Sequence, residues 1–179
     1  VLLTAVGAAG FDLAVIGRGL PFADVLPDLR SHLSARGAAV VQARPGAGKT
    51  TLAPPAVAAF LAERGTAGRV VVTGPRRLLV QAAARRLASL TGTAVGELVG
   101  STVRGDSRVG PATVVEFVTA GVLVRRLLRD PWLTGVGAVV LDEVHERGLD
   151  TDLLVGMLAE VKVLRPELVL VAMSATLDV

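Results

Sequence analysis

The chain has 179 residues, 51% of them in the hydrophobic set, with a mean hydropathy of +0.59 and a net charge of +3. Its oiliness does not come from a membrane span: the longest stretch without a charge, Thr50 to Ala62, is 13 residues long and contains Pro54 and Pro55, whereas a spanning helix needs roughly 20 apolar residues. Absence of cysteine excludes disulfide frameworks, thiolate zinc sites and cysteine nucleophiles. Two histidines, His32 and His145, are too few for an imidazole-rich metal centre, and 3% aromatics leave little from which to build a base-stacking platform. The apolar opening, Val1 to Phe11, has no basic residue ahead of it and no small-residue cleavage pattern. These features predict a soluble, cytoplasmic protein of one domain, long enough to bury a core without a metal or a disulfide. Seventeen of the 19 basic residues are arginine, leaving Lys49 and Lys162 as the only lysines. Codon bias and an anionic partner both account for that excess, and a charge total alone does not separate them.

From residue 24 onward, short apolar runs rich in β-branched residues alternate with longer helical patterns, the signature of βαβ units. The pattern predicts a helix over Asp24 to Ala35, a strand over Ala38 to Ala43, a helix over Lys49 to Glu63 broken or bent near its two prolines, and a strand over Arg69 to Thr73. Next come a helix from Leu78 to Leu90, a strand from Ala112 to Val118, a helix from Ala120 to Leu128 and a strand from Ala138 to Leu141. A helix from Thr151 to Leu164 and a strand from Leu168 to Met173 complete the series. The runs AVVQA, VVVTG, TVVEF, AVVLD and LVLVAM are apolar on both faces, as strands covered by helices on each side are. The expected fold is therefore α/β, a mostly parallel, doubly wound sheet with helices on both faces. Residues 1 to 20, rich in Gly and Ala without a clear period, read as a leader or peripheral segment.

Two segments carry chemistry. ARPGAGKTT, Ala43 to Thr51, follows a strand and opens a helix, the place of a phosphate-binding loop. Pro45, Gly46, Ala47 and Gly48 suit a tight bend whose N–H groups converge on a phosphate. Lys49 would reach the terminal phosphates, and the Thr50 hydroxyl, followed by Thr51, would ligate magnesium. Ala43 stands where the usual loop has its first glycine. The second segment, VVLDEVHERGLDTD, Val139 to Asp152, places Asp142 and Glu143 at the carboxyl edge of a parallel sheet, where ligands bind in this architecture. Asp142 would hold magnesium and Glu143 would polarise an attacking water, the tasks that phosphoryl transfer leaves to carboxylates.

The set ARPGAGKTT, TGPRRLLVQ, TAGVL, DEVHER and MSATLD, in this order, resembles the DEAH-box branch of superfamily 2 helicases, and the flanking words LPFADVLPDL, VRGDSRVGPAT and HERGLDTDL are closest to the bacterial HrpB type. The resemblance covers residues 19 to 179 and implies a RecA-like P-loop domain that uses ATP and Mg2+. It assigns Pro45 to Thr51 to the nucleotide, Thr50 and Asp142 to the metal, and catalysis to Lys49, Asp142 and Glu143, with Glu143 as base. His145, Ser174 and Thr176 take the coupling of hydrolysis to strand movement. Pro75, Arg76, Arg77, Thr119 and Gly121 line the path of a single nucleic-acid strand, with RNA favoured over DNA, and Arg86 flanks the adenine. Arginines and hydroxyls at strand ends suit that path, because they grip phosphates without reading bases.

No segment resembles the later motifs of that family or its arginine finger. The resemblance therefore places a second RecA-like domain, which completes the nucleotide cleft, outside these 179 residues, and implies that this chain alone hydrolyses ATP poorly and does not unwind duplexes. Two other readings share the loop and the sheet: a P-loop small-molecule kinase, and a catalytically silent nucleic-acid-binding module. The charge is local, with ten arginines against four acids between Arg69 and Asp130. That span contains most of the segments assigned to strand contact.

Overall fold

The computed structural model describes residues 8–146 and 148–175. Seven strands form one sheet in the order β1-β7-β6-β2-β5-β3-β4, with β1 at Ala38–Gln42, β2 at Arg69–Gly74, β3 at Val99–Val103, β4 at Asp106–Arg108, β5 at Val115–Thr119, β6 at Val136–Leu141 and β7 at Val169–Ser174. Every pairing is parallel except β3 with β4. The mostly parallel sheet is thus the one the apolar runs imply. The β3–β4 hairpin is an addition at the far edge, closed by Arg104 and Gly105, whose φ of +81° a side chain would strain. Its strands are short and partly polar, so they lack the continuous apolar run that marks the buried strands.

Among the described residues six α-helices cover the sheet: α1 Leu13–Ile16, α2 Leu26–Arg36, α3 Lys49–Glu63, α4 Arg77–Thr91, α5 Ala120–Arg129 and α6 Leu149–Leu164. The period of two along each strand sorts side chains between two cores. Val70 and Val72 of β2 and Ala138 and Val140 of β6 join the cluster under α1 to α4, while Val71, Val139 and Leu141 join the cluster under α5 and α6. Pro54 and Pro55 do not break α3, which continues through both to Glu63. Each proline removes a donor that would have bonded the carbonyl one turn earlier, yet ten of the fifteen residues of the helix are buried, and that packing holds it together. Of the segment read as a leader or peripheral, residues 1 to 7 lie outside the described residues, while Phe11, 0% exposed, and Ile16, 3% exposed, lie in the cluster with α3. Among the described residues no helix is long and apolar enough to cross a membrane.

One charged group interrupts the apolar pattern. In β5, Val115 and Phe117 face the first cluster and Val118 the second, so Glu116 shares the α5 side with Val118 and is 1% exposed. Its carboxylate accepts from Arg69 at 3.0 Å, from Arg126 at 3.1 and 2.8 Å, and from the Thr102 hydroxyl at 2.7 Å. Burial alone would raise its pKa; the hydrogen bonds from Arg126, Thr102 and Arg69, with the charge of Arg126, outweigh it and hold the group below the ordinary glutamate value.

Candidate functional site

The loop after β1 is anchored at both ends. The Ala43 N–H donates to the Ser174 carbonyl at 3.2 Å, and the Phe22 N–H donates to the Ala47 carbonyl at 2.9 Å. Gly46 and Gly48 have φ of +79° and +94°, and a Cβ at Gly48 would lie 2.8 Å from Leu20 Cδ1; glycine is required there on both counts. No side chain caps α3, so its first turn opens onto the loop and presents N–H groups and the positive end of the helix dipole to an anion. Lys49 begins that helix and is 4% exposed. Its Nζ donates to the Ala43 carbonyl at 3.0 Å and lies 3.8 Å from Glu143 Oε1.

The acidic pair follows β6 in the centre of the sheet. Asp142 is anchored by its N–H on the Thr73 carbonyl of β2, at 3.3 Å. The Thr50 hydroxyl donates to Asp142 Oδ2 at 2.5 Å across 92 residues of sequence, which joins the loop to the acidic segment. Asp142 is 7% exposed. Burial, assisted by the neighbouring Glu143 charge, raises its pKa despite the opposing Thr50 and Glu143 N–H hydrogen bonds and the Lys49 charge. Glu143 has a φ of +53°, a conformation that costs a non-glycine residue about 1–3 kcal/mol and clusters at functional sites. The turn that imposes it is held by the Val144 N–H on the Met173 carbonyl, at 3.1 Å, and by the Glu146 N–H on the Glu143 carbonyl, at 3.0 Å.

His145 joins this pair to the end of β7. Its Nδ1 lies 3.2 Å from Glu143 Oε2 and 3.4 Å from the Ala175 N–H. One imidazole nitrogen cannot donate to the carboxylate and accept from the amide at once. The two contacts are therefore mutually exclusive, and the proton on Nδ1 selects between them. Ser174 is fully buried at the strand end; Thr176 lies outside the described residues.

Beside this site is an open cleft of about 490 Å³, lined among others by Arg76, Thr119, Gly121, Arg125, Glu146 and Asp150. Pro75, Arg76, Thr119 and Gly121, expected along one path, do share it. Arg77 does not: its guanidinium donates to the Arg104 carbonyl at 3.4 Å, toward the β3–β4 turn. Arg86 is exposed on α4, nine residues from the start of that helix, which is about 14 Å along its axis. Arg125 lines the cleft and is absent from the residues expected there; its position four residues after Gly121 on α5, one helical turn on, is the signal that locates it.

The geometry brings together a cradle for phosphate, a buried lysine, two hard oxygen donors suited to a divalent cation and a strained carboxylate able to take a proton. A model of the "DEAD/DEAH box helicase" family matches residues 24–179. The chain is 45% identical over 160 residues to "ATP-dependent RNA helicase HrpB" of Escherichia coli (strain K12), spanning 89% of this chain and 19% of that protein. It is also 40% identical over 152 residues to "DExH-box ATP-dependent RNA helicase DExH3" of Arabidopsis thaliana, spanning 84% of this chain and 13% of that one. The crystal structure of Escherichia coli DEAH/RHA helicase HrpB superposes with a TM-score of 0.83 at 44% identity, covering 90% of this chain and 20% of that one. The chain thus spans about a fifth of the length of the HrpB relatives and about an eighth of DExH3, and its mostly parallel sheet is the RecA-like fold of their helicase domain. With the loop, the acidic pair and the strand-end serine on one sheet edge, the chain belongs to the DEAD/DEAH box helicase family.

Proposed function

We propose that this chain is the first of two RecA-like motor domains of an ATP-dependent RNA helicase, occupying residues 21 to 179 with Phe11 and Ile16 of the preceding segment packed into its core, and that it binds ATP with Mg2+ at the sheet edge and a single strand in the adjacent cleft. The observation that carries this reading is the Thr50–Asp142 contact of 2.5 Å with Lys49 and Glu143 beside it. Among the described residues no cluster of three or more His, Cys, Asp or Glu could hold a metal by itself. A hydroxyl and one carboxylate suit Mg2+, which is usually held by one or two protein oxygens and completed by phosphates and water. Bound there, the ion would neutralise charge on the phosphates.

The protein's own residues do the rest. Pro45 to Thr51 cradle the phosphates through the loop and the start of α3, and Lys49 places its ammonium against their terminal oxygens. Glu143 accepts the proton of the attacking water. His145 exchanges between the Glu143 carboxylate and the Ala175 amide, which ties the base to the end of β7 at Ser174; the coupling role of Thr176 rests on the family resemblance. Arg76, Thr119 and Gly121 hold the strand by its phosphates, Pro75 shapes the wall of that path, and Arg77 stands beside them toward the hairpin. The assignment of Arg86 to the adenine side rests on the family resemblance.

The test is ATP binding with and without Mg2+ by titration calorimetry, for the parent chain and for Thr50→Ala. Binding strengthened by Mg2+ in the parent and insensitive to it in the variant is the expected result; binding indifferent to Mg2+ in both would sink the reading. The cleft has its own check. Arg76→Ala should weaken single-stranded RNA binding and lower the slope of log affinity against log salt by about one, and an unchanged slope would remove Arg76 from the strand path.

A further inference from the structure

A cleft that only gripped phosphate would be lined by donors, since phosphate oxygens accept and never donate. Among the described residues this one sets two arginines, Arg76 and Arg125, beside two carboxylates, Glu146 and Asp150. Glu146 has a use within the protein, 4.0 Å from the Arg76 guanidinium. Asp150 has no hydrogen-bond or ion-pair partner among the described residues, and it is exposed. Beside a phosphate path, its carboxylate repels the polyanion that the arginines attract.

The position of this carboxylate is constrained. A Cβ at Gly121 would lie 2.8 Å from Asp150 Oδ2, so the carboxylate sits directly over the first turn of α5, and Gly121 is the residue that leaves room for it. Gly121 has no positive φ to explain it. The same turn carries Thr119 as its N-cap, without a side-chain cap. Arg76, Arg125 and Asp150 line the same cleft, so a strand whose phosphates meet the arginines runs its sugars past the Asp150 carboxylate. In a sugar-phosphate backbone the only hydrogen-bond donor within a chain is the ribose 2′-hydroxyl, which DNA lacks.

We infer that Asp150 is a specificity-determining residue, an acceptor for a ribose 2′-hydroxyl that makes the cleft select RNA over DNA. The inference rests on the strand-path reading above. Acceptance by an ionised carboxylate is among the stronger hydrogen bonds available, so the gain with RNA offsets the repulsion that DNA experiences without compensation. A purely structural role is the competing account: Asp150 lies in the first turn of α6, where a carboxylate favours the helix dipole. That role changes stability and leaves sugar preference untouched.

The experiment is fluorescence anisotropy with oligo(U), oligo(dU) and 2′-O-methyl oligo(U) at one salt concentration, for the parent chain, Asp150→Ala, Asp150→Asn and Arg76→Ala. The parent should prefer oligo(U) to both other strands, because the methylated sugar cannot donate. Asp150→Ala should weaken oligo(U) binding about tenfold and leave oligo(dU) binding equal or tighter, collapsing the ratio. Asp150→Asn, which keeps an acceptor oxygen, should retain part of it. Equal loss for RNA and DNA, or an unchanged ratio, overturns the inference while the strand path stands. Binding of every strand that is indifferent to Arg76→Ala, or no binding at all, overturns the strand path and this inference with it.

Discussion

Glu143→Gln is expected to lower the rate of ATP hydrolysis by about 10²- to 10⁴-fold, the usual contribution of a positioned general base, while ATP affinity changes little. Glutamine keeps the shape and the hydrogen-bonding reach of Glu143 but cannot accept a proton. The groups expected to hold the triphosphate and the cation remain in place: the Thr50–Asp142 hydrogen bond and the Lys49 bond to the Ala43 carbonyl do not involve Glu143, and Lys49 loses only a charge 3.8 Å away. Because an arginine supplied by a second domain is worth about 10³–10⁵ in rate in related phosphoryl-transfer systems, the starting rate for this chain is expected to be low. Single-turnover hydrolysis of labelled ATP, with protein in excess, resolves slow rates and separates them from binding. A variant that hydrolyses at the parent rate would end the assignment of Glu143 as base, and one that no longer binds ATP would give it a binding role instead.

The second large effect concerns stability. Glu116→Ala leaves the Arg69 and Arg126 guanidiniums at the edge of the core without the carboxylate that accepts from both, and breaking a buried ion pair from one side costs about 3–5 kcal/mol. For a chain of this size each kcal/mol moves the melting temperature by roughly 2–4 °C, so a drop of at least several degrees should appear in a thermal scan. Acid acts on the same group. Its folded pKa lies below the ordinary value of 4.5, so the stabilisation it contributes is complete above that value and is lost as pH falls through the lower, folded one. Asp142 has the opposite sign. Its folded pKa is raised above 3.8, so its charge opposes folding at neutral pH, and that penalty is relieved as pH falls toward 3.8. Glu116→Gln should therefore flatten the loss of stability at acid pH. A variant as acid-sensitive as the parent would show that other carboxylates govern that loss.

Much of the fold was legible in the order of residues, because parallel strands buried on both faces need apolar side chains at every position. The runs at 69–73, 138–141 and 168–173 all lie within, or one residue outside, the strands of the structure. Where burial is one-sided or partial the signal fails. The β3–β4 hairpin at the sheet edge has polar positions, and Phe11 and Ile16 enter the core from a segment too short for helical periodicity. Glu116 was hidden for a related reason: a single charge within an apolar run looks like a solvated position until the register of β5 turns it toward α5.

The candidate site divides along the same line. Local sequence determined the loop, since a glycine-rich bend ending in Lys49 and Thr50 needs only its neighbours to form, and it also determined that Asp142 and Glu143 end a strand. Tertiary structure alone decided the 2.5 Å contact between Thr50 and Asp142, the turn that forces Glu143 into positive φ, and the departure of Arg77 from a cleft that Arg125 and Asp150 enter. Residue type and spacing specify what a side chain can do, whereas its direction follows from which strands pair and how helices seat on them, contacts made between residues distant in the chain.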